Sequence, residues 1–399
     1  MKYHRPLVKA IVETLQQIFV EGIYADKAIG AVLKQNAKWG SRDRNFIAET
    51  TYQMVRWWRL IKETLAEPEE NSTTYYYKLF ATWQLTNGNQ LPDWEEFKAI
   101  NENKIIEMAA KLKPIRKYRE SIPDWLDELG NTELGDEIWT RELAELNKMA
   151  QLVFRVNTLK TSREKLLRLL EEQEIETNAV ENHPDAIISL KRKNLYSLNE
   201  FNQGLFEIQD ASSQLVAPFL KVESRMTVID ACAGAGGKSL HIAAMMKNKG
   251  KIIAMDVEED KLAVLTKRAN RAGVNIIAPR LINQNTIEQL KNTADRLLLD
   301  VPCSGLGVLR RKPYDKWKLS LAYINQKKTE QQKILTEYSQ MLKSGGFLVY
   351  ATCSILPSEN QLQIELFLKS NPDFKFIEDR KVLPSEGFDG FYMARLLKL

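Results

Sequence analysis

Two of the three cysteines lie in sequence contexts that indicate reactive thiols. Cys303 follows Asp300-Val-Pro at the end of one apolar run, and Cys353 ends a second apolar run 50 residues later. A thiolate is a strong nucleophile, and covalent attack on a substrate splits one difficult reaction into easier steps. A free cysteine can also be a small buried apolar residue, but a random pair of core cysteines would more often lie within strands. We therefore predict covalent catalysis by this pair.

A thiolate of this kind suits the methylation of a cytosine ring. Carbon 5 of cytosine is a poor nucleophile, and addition of a thiolate to carbon 6 makes the ring enamine-like, so that carbon 5 can accept a methyl group. Loss of the carbon 5 proton and of the thiolate then restores the base. A group that hydrogen-bonds or protonates the ring would assist, and Asp300 could be that group if it holds or shares a proton.

A glycine-rich turn, ACAGAGGKS, follows Asp230 at the end of another apolar run. Glycines there let the backbone approach a ligand closely. Neither a P-loop nor a GxGxxG fingerprint fits, because Cys232 and Ser239 stand where those motifs require glycine. Asp256 ends the next strand, 20 residues after Gly236, where a carboxylate can accept both ribose hydroxyls of an adenosine-containing ligand. The glycine-rich turn and Asp256 together predict an adenosine-containing cofactor, but they do not distinguish S-adenosylmethionine (SAM) from NAD. The alternative interpretation is a tight strand-to-helix turn that binds no ligand.

The elements that must position these residues alternate between strands and helices from Ser212 onward. Apolar runs such as RMTVID, KIIAMD and RLLLDVP predict strands, and amphipathic segments between them predict helices. Such alternation predicts an α/β fold with a mostly parallel, doubly wound sheet that binds ligands at the carboxyl ends of its strands. The last two strands, FKFIE and FYMARLLKL, look antiparallel to the others. This favours a Rossmann-like class I SAM-dependent methyltransferase domain with a mixed seven-stranded sheet.

The preceding residues predict two further parts of the chain. Residues 1–145 show helical periodicity and contain most of the tryptophans, which we expect in the core of a helical domain rather than in RNA stacking. Residues 146–211 combine short strands with one amphipathic helix, which is typical of a small α+β subdomain, and we expect it to contact RNA. Residues 212–399 form the predicted catalytic domain.

Composition and charge exclude several classes of protein. The chain has 44% hydrophobic and 27% charged residues, and its net charge of +5 permits a nucleic-acid partner without establishing one. Three cysteines without CxxC spacing argue against a disulfide framework and a zinc site. The first residues predict an amphipathic helix rather than a signal peptide, and no apolar run reaches membrane-spanning length. We expect a cytoplasmic monomer that binds neither a membrane nor a metal.

Several segments resemble motifs of one family. DACAGAGGKS, DVPCSGLGVLRRKP and YATCSILPSEN are similar to three motifs of the RsmB/Sun family of RNA cytosine-C5 methyltransferases, and FRVNTLK, FEIQDASSQLV and GFDGFYMARL resemble other segments of that family. This resemblance covers about residues 150–399. In the N-terminal part, SRDRNFIAETTYQMVRWWRLI and SIPDWLDEL resemble the NusB-like helical domain of the bacterial rRNA enzymes.

The resemblance implies a role for each motif residue. Cys353 would be the nucleophile, Cys303 would assist release of the methylated base, and Lys238 would lie near the reacting base. The residues that would bind SAM are Cys232, Ala233, Gly234, Ala235, Gly236, Gly237, Lys238, Asp256 and Asp300. The substrate would be small-subunit (16S) ribosomal RNA, with transfer RNA as the alternative.

Several alternatives stay open at this point. The family usually has an acidic residue near adenine after the third strand, where this chain has INQNT, so that Asn283, Gln284 or Asn285 stands in. In DNA cytosine-C5 methyltransferases the cysteine of the Pro-Cys motif attacks, which makes Cys303 a rival nucleophile. A non-catalytic RNA-binding or ribosome-assembly protein and an NAD-dependent oxidoreductase are competing functions. The intact thiols argue against the first, and the missing third glycine argues against the second.

A basic segment directly follows the Pro-Cys motif, and the cluster KRK lies at 191–193. The segment contains Arg310, Arg311, Lys312, Lys316 and Lys318, with Tyr314 and Trp317 among them. Basic side chains at the rim of a site could hold RNA phosphates, and the aromatic rings could stack on bases or pack within a loop. The target base would have to be single-stranded or flipped out of a duplex.

Overall fold

The computed structural model describes residues 3–36, 38–191 and 194–399, so that two residues of the basic cluster at 191–193 lie outside the described residues. The chain divides into two compact units. One comprises the residues up to Asn147 together with Lys312–Leu319, and the other comprises Lys148–Arg311 and Ser320–Leu399. Among the described helices, none combines the length and apolar character that a membrane span requires.

The second unit contains two β-sheets within its described residues. Their strands are β1 (Leu152–Val156), β2 (Thr177–Ala179), β3 (Ala186–Ser189), β4 (Phe206–Ile208), β5 (Thr227–Asp230), β6 (Lys251–Asp256), β7 (Ile277–Leu281), β8 (Ala294–Asp300), β9 (Leu342–Thr352), β10 (Phe374–Val382) and β11 (Phe391–Lys398). The larger sheet has seven strands in the order β10-β11-β9-β8-β5-β6-β7. The prediction of a mixed seven-stranded sheet in an α/β fold is confirmed.

One detail of the strand directions differs from the prediction. Strands β5 to β9 pair in parallel, whereas β11 is antiparallel to both β9 and β10. β10 therefore runs parallel to the rest of the sheet, and the expectation that both final strands are reversed is wrong for β10. The physical reason is the connection: a helix carries the chain from β9 back to the start of β10, whereas the short loop before β11 allows only a hairpin.

The central strands of the larger sheet are covered on both faces. Ile229, Leu297, Leu298 and Val349 have no exposed surface, as expected for a parallel strand whose apolar run is continuous rather than alternating. The helices of this unit are α10 (Arg163–Glu171), α11 (Asn199–Asn202), α12 (Ala211–Gln214), α13 (Val216–Phe219), α14 (Gly237–Met245), α15 (Glu259–Ala272), α16 (Gln284–Gln289), α18 (Leu321–Tyr338) and α19 (Gln361–Ser370).

The smaller sheet is antiparallel and has the order β2-β3-β1-β4. Its apolar face carries Phe154 and Phe206, whose ring centroids lie 4.7 Å apart. α10 packs Leu166 and Leu170 into the same core, since these two residues lie one turn apart on its apolar side. This small α+β part agrees with the fold class that the sequence predicts.

The first unit is helical. Its helices are α1 (Arg5–Phe19), α2 (Ala25–Gln35), α3 (Ser41–Arg56), α4 (Trp58–Leu65), α5 (Thr73–Thr86), α6 (Glu102–Leu112), α7 (Arg116–Arg119), α8 (Asp124–Leu134), α9 (Asp136–Leu146) and α17 (Asp315–Lys318). Trp58 and Trp139 are buried, and Trp57, Trp83 and Trp94 pack partly buried against the core. For these five tryptophans, the prediction of a role in packing is confirmed.

The segment Lys312–Leu319 is part of the helical unit rather than of the sheet that precedes it in the sequence. Tyr314 and Trp317 donate hydrogen bonds to main-chain carbonyls of α1 and α3, at 2.9 and 2.7 Å. Lys316 is 2% exposed and donates to oxygens of the same unit at 2.8, 2.9 and 3.1 Å, and burial lowers its pKa well below the ordinary value. The interpretation of Lys316 as an RNA-binding side chain is therefore wrong, and for Tyr314 and Trp317 the alternative of packing within the protein is confirmed.

Candidate active site

The predicted site residues meet at one edge of the larger sheet. Because β5, β6, β8 and β9 are parallel, their carboxyl ends lie on the same side. Asp230, Asp256, Asp300 and Thr352 are the last residues of these four strands. Register pairing sets Asp300 opposite Ala351, two residues before Cys353. The sheet thus brings together motifs that are far apart in the sequence.

The thiols of Cys303 and Cys353, which belong to the Pro-Cys and Thr-Cys-Ser motifs, lie in direct contact. Cys303 Sγ is 3.3 Å from Cys353 Sγ, and both residues are partly buried. The hydrogen bond with Cys353, followed by burial, raises the pKa of the Cys303 thiol. The contact and the burial therefore favour the protonated form of Cys303. Burial raises the pKa of the third cysteine, Cys232, well above its ordinary value, so that it is a poor nucleophile.

A charged pair lies at the end of β8. Lys238 Nζ is 2.6 Å from Asp300 Oδ2 and 5.0 Å from the ring centre of Phe391. Burial by itself lowers the pKa of Lys238, but the Asp300 carboxylate outweighs it and the net pKa is raised. Lys238 is therefore the proton-bearing group of this pair, and Asp300 accepts its hydrogen bond.

The glycine-rich turn joins the ends of β5 and β6. The Gly234 N–H donates to Asp256 Oδ2 at 2.8 Å, and the Glu258 N–H donates to Asp256 Oδ1 at 3.0 Å. Gly236 has a φ of +83°, and a Cβ there would lie 2.5 Å from Leu265 Cγ on α15. Glycine is thus required both by the backbone conformation and by the close approach of a helix.

Two arginines hold the carbonyl groups of this turn, and the sequence analysis did not assign them. Arg155 of β1 donates to the Gly237 carbonyl at 2.8 Å, and Arg268 of α15 donates to the Ala235 carbonyl at 2.8 Å. Glu207 of β4 accepts from Arg268 at 2.9 Å. Charged residues inside the predicted strands FRVNTLK and FEIQD were the available signal, because a buried charge requires a partner.

A cavity of about 400 Å³ opens at this edge of the sheet, and Cys232, Gly234, Asp256 and Asp300 line it. Of the other predicted cofactor residues, Ala233, Ala235, Gly236, Gly237 and Lys238 form the turn beside the cavity rather than its wall. The opposite wall comes from α18, through Lys327, Glu330, Ile334 and Tyr338. Sequence reasoning missed this wall, because no local pattern shows which helix covers a strand end. Carboxylates beside apolar side chains fit a nucleoside with a charged amino-acid tail.

The residues after β7 are engaged in a helix cap. Asn283 Oδ1 accepts hydrogen bonds from the Thr286 N–H at 3.0 Å and the Thr286 hydroxyl at 2.9 Å, which stabilises the start of α16. The neighbouring Ile282 lines the cavity. Of the three residues considered for contact with adenine, Asn283 therefore uses its side-chain oxygen to cap α16.

Residues 217–397 match the family model described as 16S rRNA methyltransferase RsmB/F, and residues 122–194 match the model of the ferredoxin-like domain of RsmF/B-like methyltransferases. The chain belongs to the RsmB/F family. This family consists of SAM-dependent methyltransferases, which confirms the cofactor that the sequence predicts.

Curated relatives in the RsmB/F family carry related names. A protein named probable ribosomal RNA small subunit methyltransferase B from Synechocystis is 38% identical over 259 residues, which are 64% of this chain and 58% of that protein. Ribosomal RNA small subunit methyltransferase B of Proteus mirabilis is 36% identical over 264 residues, 66% of this chain and 62% of that protein. The chain thus spans less than two thirds of the length of these relatives. A solved structure, PH0851, superposes with a TM-score of 0.83 at 25% identity and covers 100% of both chains.

Within the RsmB/F fold, the first two arginines of the basic segment are structural. Arg310 is 4% exposed and donates to main-chain carbonyls of the loop 384–387 at 2.8 and 2.9 Å. Arg311 pairs with Asp210 and Asp389, both at 2.6 Å. The interpretation that Arg310 and Arg311 hold RNA phosphates is wrong, because protein acceptors already occupy both guanidinium groups.

Proposed function

We propose that this protein transfers the methyl group of SAM to carbon 5 of a cytosine in RNA, through a covalent adduct between Cys353 and carbon 6. The proposal rests on one observation: two thiols lie 3.3 Å apart, on loops that follow adjacent strands beside the cavity. A single thiol would suffice for attack alone, whereas a pair supplies a nucleophile and a second group for the later proton movements. Hydride transfer between a nicotinamide and a substrate does not by itself require such a pair.

The cofactor would be held by Asp256, Asp300 and the turn Cys232–Lys238. Asp256 is fixed by two main-chain N–H groups, at 2.8 and 3.0 Å, so its carboxylate is oriented before any ligand arrives. When bound, SAM supplies an electrophilic methyl group. The apolar side chains Ile282 and Ile334 give the cavity surface on which a purine can pack.

The two thiols would have different roles in the reaction. Cys353 adds to carbon 6 of the cytosine, and the ring electrons move toward carbon 5, which then accepts the methyl group. Cys303 keeps its proton at this stage, because its contact with Cys353 and its burial raise its pKa. Lys238 bears a proton beside Asp300 and stabilises the charge that develops on the ring. In the release step the carbon 5 proton passes to water, and its electron pair re-forms the double bond between carbons 5 and 6 as Cys353 leaves as a thiolate. Cys303 assists by donating its proton to that thiolate.

The substrate that we propose is small-subunit ribosomal RNA. The relatives from Synechocystis and Proteus mirabilis are named for that RNA, and the matching family model carries the same description. The target cytosine must leave its stack to reach the thiols, so a single-stranded or deformable region is expected. In this proposal the smaller sheet and the residues up to Asn147, which we assign as a NusB-like part, add contacts to the RNA backbone.

The test is a methyl-transfer assay with labelled SAM on unmodified ribosomal and transfer RNA. We expect wild type to form 5-methylcytosine in ribosomal RNA, Cys353→Ala to form none, and Cys303→Ala to accumulate a protein–RNA adduct. An active Cys353→Ala with an inactive Cys303→Ala would make Cys303 the nucleophile. If only transfer RNA is labelled, transfer RNA rather than ribosomal RNA is the substrate. If the protein binds RNA but transfers no methyl group, a ribosome-assembly role is favoured.

A further inference from the structure

A fully buried carboxylate is bonded to both loops that carry the thiols. Glu359 has no exposed surface. Its Oε1 accepts a hydrogen bond from the Ser304 N–H at 2.7 Å, and its Oε2 accepts from the hydroxyls of Ser304 and Ser354, both at 2.5 Å. Ser304 and Ser354 each follow one of the two cysteines directly. We call Ser304, Ser354 and Glu359 the serine–glutamate cluster.

The two loops also contact each other at the same place. The Gly307 N–H donates to the Cys353 carbonyl at 2.9 Å, and the two serine hydroxyls lie 3.2 Å apart. A Cβ added at Gly307 would lie 2.8 Å from that carbonyl, closer than a side chain tolerates. Gln331 of α18 donates to Glu359 Oε1 at 3.2 Å and so connects the cluster to the helix that lines the cavity. The distance between the Cys303 and Cys353 thiols therefore depends on the Glu359 carboxylate, which binds both loops.

Stability alone does not account for such a group. Taking a carboxylate out of water costs several kcal/mol, and well-packed apolar residues in its place are often neutral or stabilising. Four hydrogen-bond donors satisfy Glu359 and offset much of that cost. What apolar residues could not supply is a fixed, directional link between two loops.

We propose that Glu359 is a positioning residue, which sets the distance between Cys303 and Cys353 by binding the serine after each of them. This inference rests on the proposed function, since the spacing matters only if both thiols act on one base. Glu359 acts through Ser304 and Ser354 and does not itself contact the substrate.

The charge of Glu359 has a related effect. The hydrogen bond with Cys353 is the first cause that raises the pKa of Cys303, burial is the second, and the nearby Glu359 carboxylate adds to them. Glu359 thus helps to keep Cys303 protonated while Cys353 reacts. A purely structural spacer would not influence the titration of the thiol.

The experiment compares Glu359→Gln with wild type and with Glu365→Gln, which makes the same chemical change at an exposed position of α19. At saturating RNA we expect Glu359→Gln to lower kcat by about 10- to 100-fold, since a displacement near 1 Å of a reacting group costs about that much. The KM for SAM should stay within about twofold, because Glu359 does not line the cavity. The pH at which iodoacetamide labels Cys303, read by peptide mass spectrometry, should fall.

A second readout measures the spacing without RNA. Diamide accepts two electrons and two protons from a pair of neighbouring thiols and leaves a disulfide, so the rate of Cys303–Cys353 disulfide formation reports their distance. We expect this rate to fall by about fivefold or more in Glu359→Gln and to be unchanged in Glu365→Gln. If Glu359→Gln does not fold, as judged by circular dichroism, Ser354→Ala removes one link and is measured in the same way.

The two proposals fail in different ways. If wild type methylates no RNA but the disulfide rate falls in Glu359→Gln, the proposed function is wrong and the positioning role stands as a structural fact. If a folded Glu359→Gln keeps wild-type kcat, disulfide rate and Cys303 labelling, the positioning role is overturned while the proposed function is untouched.

Discussion

At the scale of single residues, the pair of Lys238 and Asp300 controls where a proton is held. Lys238 is 13% exposed at its side chain, and its ammonium group is 2.6 Å from the carboxylate. Burial favours the neutral amine, and the carboxylate favours the ammonium, which prevails here. The proposed stabilisation of charge on the ring by Lys238 therefore depends on Asp300, because the carboxylate keeps Lys238 protonated.

Replacing Asp300 with Asn should lower the pH above which the rate of methyl transfer begins to fall. The raised pKa of Lys238 keeps it protonated to high pH in wild type; without the carboxylate only burial remains, and burial lowers that pKa. We expect kcat at saturating SAM to begin its alkaline fall at lower pH in Asp300→Asn, measured as a pH profile. Asp295→Asn, which removes a carboxylate at the opposite end of β8, is the control. If kcat begins to fall at the same alkaline pH in wild type, Asp300→Asn and Asp295→Asn, Asp300 does not keep Lys238 protonated.

At the scale of secondary-structure elements, the cofactor turn is fixed by partners from outside it. The turn between β5 and α14 has main-chain carbonyl groups that accept hydrogen bonds from side chains of other elements. Arg155 and Arg268 donate to two of these carbonyls, and Glu207 neutralises the charge of Arg268. The smaller sheet and α15 therefore both take part in shaping the turn, although no residue of the smaller sheet lines the cavity.

Removing one of these donors should weaken SAM binding, because the turn loses a hydrogen bond that fixes its shape. Arg268→Ala frees the Ala235 carbonyl, and a hydrogen bond from a charged donor contributes about 1.5 kcal/mol or more, equal to about a tenfold change. We expect the Kd for SAM, measured by calorimetry, to rise by about tenfold. Lys267→Ala, at an exposed neighbouring position of α15, should leave it unchanged. Equal affinities in the two variants would show that the turn holds its shape unaided.

At the scale of the whole molecule, buried polar groups join the smaller and the larger sheets into one compact unit. His241 of α14 is 3% exposed, and its Nε2 lies 3.2 Å from Asp185 Oδ2, in the loop between β2 and β3. Burial, followed by the positive charge of Arg155, lowers the pKa of His241 to about 4. The neutral imidazole is therefore the form that the fold requires.

This histidine should make the protein sensitive to acid. Its pKa falls from 6.5 to about 4 on folding, so that between these values the unfolded chain binds a proton that the folded chain does not. Stability is then lost as the pH falls through this window, by about 3 kcal/mol over its full width. We expect urea unfolding of His241→Asn to show a flatter dependence on pH between about 6.5 and 4 than wild type. His4→Gln, at an exposed position, should follow the wild-type curve.

Much of the catalytic region could be predicted from local patterns. Apolar runs marked the strands, and glycines marked the turn after β5. The rule that ligands bind at the carboxyl ends of parallel strands then brought Asp256, Asp300, Cys303 and Cys353 to one edge. The direction of β10 could not be predicted in this way, because strand direction depends on the length of connections rather than on apolar periodicity.

Partners distant in the sequence could not be predicted at all. The sequence by itself determined the family motifs, the cofactor class and the strands that carry the reactive residues, because each depends on residues close together along the chain. Only the tertiary structure decided that Glu359 binds both cysteine loops, that Arg310 and Arg311 are occupied by protein acceptors, and that Lys316 is buried in the helical unit. A basic or acidic side chain looks the same in a sequence whether it faces solvent or a partner, and burial depends on contacts that form between residues far apart.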